Sequence, residues 1–194
     1  MKITGLIVCV LLLGSFVAKA QQSLKEVRKV NYYGIDFSKV KIYRAQESEA
    51  QFQRAFKAIN DLTLLEDKKY DFAKFFRKSV EWKSFEVADQ RNFSNEAFLL
   101  PPKLSGKQLN EIHLSDAELG EVVGNYGNGD DGVGVVIIGV LLNKEVPEGI
   151  YEVVFFDVQS KEIVFHKEVR GKARGFGLRN YWAYSVYDAL KRWK

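Results

Sequence analysis

The sequence predicts an α/β (α+β) fold. The expected form is a single domain with a mixed sheet of about five strands, a C-terminal antiparallel hairpin, and three or four helices packed on the sheet. Three observations carry this expectation. Residues 133–142 (VGVVIIGVLL) are apolar at every position that alternation would place on either face, the pattern of a central strand covered on both sides. Residues 149–157 and 162–170 are two β-rich runs joined by only Val158-Gln159-Ser160-Lys161, a link short enough for an antiparallel pair. Residues 48–62 and 180–193 repeat apolar side chains at three- and four-residue steps, which gives a helix one buried stripe.

Taken in order, residues 29–35 (KVNYYGI) are rich in β-formers and predict the first strand. Asp36-Phe37-Ser38 then turns the chain, and residues 40–43 continue the strand. The helix over 48–62 buries Phe52, Ala55, Phe56, Ile59 and Leu62. Tyr70, Phe72, Phe75 and Phe76 predict a second, short helix, and residues 80–87 (VEWKSFEV) read as a strand with imperfect alternation. A long polar passage, 89–115, contains Pro101 and Pro102, and its length suggests an unrecognised short strand or helix within it. At Ser115 a capping box opens the next helix, because the Ser115 hydroxyl can accept from the Glu118 N–H while Glu118 reaches back. Its stripe is Leu119, Val122, Val123 and Tyr126, with Gly127 placed to end it.

In the hairpin, pairing Asp157 with Glu162 sets Glu152 opposite Lys167, Val154 opposite Phe165 and Phe156 opposite Ile163. That register supplies one opposite-charge pair and two apolar pairs. The final helix, 180–193, carries Trp182, Ala183, Val186, Ala189, Leu190 and Trp193 on one face.

The N-terminus predicts export. Lys2 precedes an uncharged apolar run over 5–17, and Ala18-Lys19-Ala20 puts small residues where a signal peptidase looks. The run falls short of the ~20 residues that span hydrocarbon, so a signal peptide over 1–20 is expected and no transmembrane segment after its removal. The mature domain is then 21–194. Cys9, the sole cysteine, leaves with the signal, which excludes disulfides, thiolate metal sites and Cys/His dyads. Loss of Lys2 and Lys19 brings the formal charge of +4 close to balance. No sustained basic block with interleaved aromatics stands out, so nucleic acid is not an expected partner.

Chemistry-bearing motifs are few, and no cofactor or metal is implied. The segment 171–179 (GKARGFGLR) offers the one candidate ligand site: Lys172, Arg174 and Arg179 supply cations, Gly175 and Gly177 free the backbone, and Asn180 opens the last helix, whose N–H groups attract anions. It lacks the third glycine and the βαβ setting of a dinucleotide fingerprint, and a plain strand-to-helix turn accounts for the same glycines. Tyr181, Tyr184 and Trp193 could form an aromatic surface patch, or simply cover the sheet. The loop 128–132 (NGDDG) fails the spacing of a Ca²⁺ loop. His113 and His166 read as structural, although a Ser/His/Asp arrangement assembled in space stays open in the absence of any Gly-x-Ser-x-Gly elbow. Asp36 stands where the first strand ends, either as a cation ligand or base, or as the cap of its own turn, which is favoured.

Two segments carry a resemblance. Residues 33–40 (YGIDFSKV) and 175–183 (GFGLRNYWA), with the signal ending Ala18-Lys19-Ala20-Gln21, are similar to small exported proteins of Bacteroidetes whose function is unknown. The hairpin pieces 154–157 and 162–165 resemble periplasmic α/β domains of outer-membrane assembly lipoproteins of the curli-secretion kind, over the last ~60 residues only; the lipobox cysteine of that family is missing. Neither resemblance implies catalytic residues. Three functions follow as expectations: a non-enzymatic envelope protein that binds a protein or glycan partner or stabilises an assembly, a binder of small anions at 171–179, and an unrecognised hydrolase. If Arg174, Arg179 and His166 face solvent without converging, the latter two both fall.

Overall fold

The structure, a computed structural model, describes residues 24–95 and 98–193. The expected export signal over 1–20 lies outside the described residues. The chain is an α/β domain whose described residues form six strands and six helices. Their order is β1 (Lys29–Asp36), β2 (Lys41–Tyr43), α1 (Glu49–Leu65), α2 (Phe72–Phe76), β3 (Ser79–Trp82), α3 (Glu86–Ser94), α4 (Gly106–Asn110), α5 (Asp116–Val123), β4 (Val133–Asn143), β5 (Glu148–Asp157), β6 (Ile163–Lys172) and α6 (Leu178–Lys191).

The sheet runs β3-β1-β4-β5-β6. β4 sits at its centre and is buried over Val133–Leu142, as its two apolar faces require. β1 is parallel to β3 and β4, and β5 is antiparallel to β4 and β6, so the sheet is mixed. β2 prolongs β1 along the same edge of β4, after a turn at Phe37–Val40. One face carries α1, α2 and α6 over Val135, Ile137, Tyr151, Val153 and Phe155. The other carries α5 over Val136, Ile138, Val154 and Phe156. The result is a sheet between two helical layers. No helix among the described residues is long and apolar enough to cross a membrane.

Three expectations need correction. Residues 80–87 do not form one strand, because β3 stops at Trp82 and Glu86 starts α3. The helix opened by the Ser115 capping box ends at Val123 with Gly124 as its cap, not at Gly127; Gly127 instead takes φ +73° in the loop that follows. The hairpin keeps Phe156 opposite Ile163 but slips by one residue beyond it, so that Glu152 faces Glu168 and Val154 faces His166. The extra residue on β6 is Val164, a one-residue bulge. The polar passage 89–115 holds the end of α3, a parallel bridge from Leu99 to Ile42, and α4.

Candidate functional site

Ligands of open α/β sheets usually sit beyond the carboxyl ends of the parallel strands. Here that place is occupied by the protein's own side chains. β3 accompanies β1 only from Lys29 to Tyr32, so the outer backbone edge of β1 lacks a strand beyond that point. Three asparagines take the strand's place. Asn60 of α1 accepts from Ile35 N–H at 2.9 Å and donates to Ile35 C=O at 3.1 Å. Asn92 of α3 accepts from Phe37 N–H and donates to Ile35 C=O, and Asn95 donates to Phe37 C=O at 2.9 Å. A primary amide offers a donor and an acceptor side by side, as a strand backbone does.

Asp36 lies at this end of β1 and is fully buried. Its Oδ1 accepts from Ser38 N–H at 2.7 Å, the expected turn cap. Its Oδ2 accepts from Arg91 Nε and from the Tyr126 hydroxyl, each at 2.7 Å. Arg91 Nη2 donates onward to Ser38 Oγ at 2.8 Å. Burial, and then the Asp36 charge, push the Tyr126 phenol well above its ordinary value, so it stays a donor. Both carboxylate oxygens are committed to joining β1, α3 and the loop after α5.

In the loop after β6 the predicted site residues meet separate partners. Gly175 and Gly177 take φ +121° and +74°, and Gly177 is the N-cap residue of α6. Lys172 uses its backbone N–H on Asp188 at 2.9 Å. The Arg174 guanidinium lies 3.9 Å above the Tyr184 ring, and Arg179 Nε donates to Asn180 Oδ1 at 3.0 Å. The adjoining cavity, about 220 Å³, is lined by Glu47, Lys144, Gly175, Gly177, Leu178 and Tyr181. Its cation, Lys144, is paired with Glu47 at 2.6 Å. Of the six predicted residues only the two glycines line this cavity; Lys172, Arg174, Arg179 and Asn180 do not. Phe176, between those glycines, is 96% exposed.

The bulge in β6 turns His166 away from the face of Tyr151, Val153 and Phe155 that the unbulged register assigns it. Its Nδ1 lies 3.1 Å from Glu152 Oε2, and its Nε2 3.6 Å from Asp116 on α5. Burial raises the Glu152 carboxyl above its ordinary range, with His166 opposing that rise. His113 is exposed and contacts the Glu111 carbonyl at 2.7 Å. In the loop 128–132, Asp130 accepts from the Tyr33 hydroxyl at 2.7 Å and from Lys83 Nζ at 2.9 Å, which fastens the loop to β1. Among the described residues no three His, Cys, Asp or Glu side chains cluster to hold a metal. Arg174, Arg179 and His166 therefore contact separate partners. Trp193 does not join Tyr181 and Tyr184 in a surface patch, since its ring packs 6.0 Å from both Phe76 and Phe155.

A different surface gathers unspent charge. Between α2 and the C-terminal half of α6 lies a groove of about 640 Å³. Phe75, Tyr187 and Trp193 supply its aromatic lining, and Lys68, Lys69, Lys74, Arg77 and Lys191 its cations. Lys69 is paired with Glu66 at 2.9 Å and lies over the Tyr70 ring. The other four cations form no ion pair with any carboxylate among the described residues. Asp71 also lines the groove, where its carboxylate caps α2 by accepting from Lys74 N–H at 2.9 Å. The signal for this groove was present in residues 67–78 (DKKYDFAKFFRK), which do interleave cations with aromatics, against the expectation of no such block. Tyr70, Phe72 and Phe76 account for the oversight, because these aromatics are core. No protein-family model matches the chain, and a comparison with curated proteins finds no match.

Proposed function

We propose that this protein is a non-catalytic binding module of an exported protein, and that the groove between α2 and α6 is its binding surface. The observation that carries the reading is the meeting of four cations, each without a carboxylate partner among the described residues, on one aromatic-lined groove. Like charges gathered around a recess create a positive potential that a bound anion neutralises. The contrast with the carboxyl end of β1 supports the same reading, because Asp36, Arg91 and the three asparagines are spent on holding the fold. The export component rests on Lys2, the apolar run 5–17 and Ala18-Lys19-Ala20. An envelope glycan or protein bearing acidic groups is the partner class this chemistry suits.

The test is retention of residues 21–194 on immobilised dextran sulfate at physiological salt. Wild type is retained, and Lys74→Glu/Lys191→Glu is not. A control pair on a different surface, Lys103→Glu/Lys107→Glu, changes net charge equally and stays retained. Equal loss in both pairs would reduce the effect to overall charge and sink the assignment of the groove.

A further inference from the structure

We propose that the groove takes a saccharide bearing acidic groups, whether carboxylate, sulfate or phosphate. This rests on the binding reading above and names its ligand class. The first argument is the division of labour in the lining. Phe75 and Tyr187 meet edge to face with ring centres 6.1 Å apart, and both are half-buried in the wall of the recess. A sugar ring has a C–H face that packs on an aromatic ring, while its substituents point outward in the ring plane. Acidic substituents on a ring held in this way would reach the lysines and Arg77 around it. Charge-assisted hydrogen bonds to those groups are stronger than neutral ones.

Size is the second argument. A recess of about 640 Å³ falls within the roughly 300–1,000 Å³ typical of small-molecule sites. It suits a short stretch of rings and not a broad flat contact. Docking onto a lipid surface would call for apolar side chains that project, whereas these aromatics are recessed.

Arg77 gives the third. It ends α2 with φ +55° and ψ +43°, the left-handed region. Glycine takes that helix-ending conformation without cost, and a residue with a Cβ does not. Arg44 and Lys161 take positive φ as well, so the conformation alone assigns no role; what sets Arg77 apart is that it lines the groove. Structure and function therefore make opposite demands at this position, and a single substitution separates them.

The experiment is calorimetric titration of residues 21–194 with four probes: a sulfated, uronate-containing tetrasaccharide, neutral maltotetraose, vesicles of anionic phospholipid, and a thymidine oligonucleotide. The acidic tetrasaccharide is expected to bind, more weakly as salt rises, and the neutral one not to bind. Lys74→Ala/Lys191→Ala, both exposed in the free protein, weakens binding by about tenfold. Arg77→Gly weakens binding while leaving the melting midpoint no lower than that of wild type, a combination that a purely structural arginine would not give. Binding of maltotetraose as tight as that of the acidic sugar would overturn the role of charge. Binding of vesicles or oligonucleotide alone, lost in the lysine variant, would remove the glycan assignment and keep the groove. Failure of all four probes to bind would remove both.

Discussion

At the scale of single residues, the strongest commitment is the Asp36 carboxylate. It is fully buried and balanced by Arg91, Tyr126 and a backbone N–H. Removing one member of a buried pair costs more than the pair contributes, because the other is left desolvated without a partner. Asp36→Ala is therefore expected to lower stability by about 3 kcal/mol, read from urea denaturation. A loss below 1 kcal/mol would mean that Arg91 escapes to water. Glu152 behaves in the opposite way. Burial raises its carboxyl, His166 pulls against that rise, and Glu168 and Asp116 add to it. A raised folded value means that the folded state holds the proton more tightly. This contribution to stability is fully present below the unfolded value, about 4.3, and is lost as pH rises through the raised one. Glu152→Gln cannot ionise, so its stability should lack that decline. Compared with wild type it should fare worse at pH 4 than at pH 7.5. The same relative stability at both pH values would show that the carboxyl is not held protonated by the fold.

At the scale of elements, what was legible in the sequence depended on whether an element's partners repeat with its own period. α1, α6 and β4 announce themselves because each buries apolar side chains at a regular step. α3 does not. Its fully buried side chains are Ala88 and Asn92, and a helix whose inward face is an asparagine bonding β1 carries no apolar stripe to read. The β6 bulge was equally silent, since Val164 differs in no way from an ordinary strand residue. A one-residue slip moves every later side chain to the other face, and that is how His166 came to meet Glu152. The glycines after the hairpin divide by the same logic. Gly175 and Gly177 serve the turn, as their positive φ shows. Gly171 serves packing: a Cβ there would run into the backbone of α6 at Ser185 and Ala189. Backbone in a packed helix cannot step aside as a flexible side chain can, so Gly171→Ala should lower stability by about 3 kcal/mol. Gly175→Ala, whose nearest atoms lie at 3.5 Å, should lose only the smaller cost of its positive φ. Thermal melts of the two variants compare them directly, and a smaller loss at 171 than at 175 would refute the close helix–strand contact.

At the scale of the whole molecule, the sheet was foreseeable, whereas residues 67–78 signalled only one wall of the groove. A central strand is written in consecutive residues, whereas the groove brings Lys68, Lys74 and Arg77 to Lys191, more than a hundred residues away in sequence. Only the folded sheet, with α2 and α6 on the same face, assembles that charge. The whole arrangement hangs on β4, which feeds both layers: Val135 and Ile137 point into the core under α1 and α6, and Val136 and Ile138 into the core under α5. If β4 couples the layers, damage on either face should destabilise the other. Ile137→Ala and Ile138→Ala each remove a buried side chain and should each cost about 3 kcal/mol. Trp82, Trp182 and Trp193 all pack on the first core and report that layer by fluorescence, whereas far-ultraviolet circular dichroism reports all elements. In both variants the two signals should move together to the same lower midpoint, as in a single cooperative transition. A dichroism transition lowered by Ile138→Ala, with the tryptophan signal left in place, would instead mean that the α5 layer unfolds separately. The groove would then sit on a layer that can hold its shape without α5.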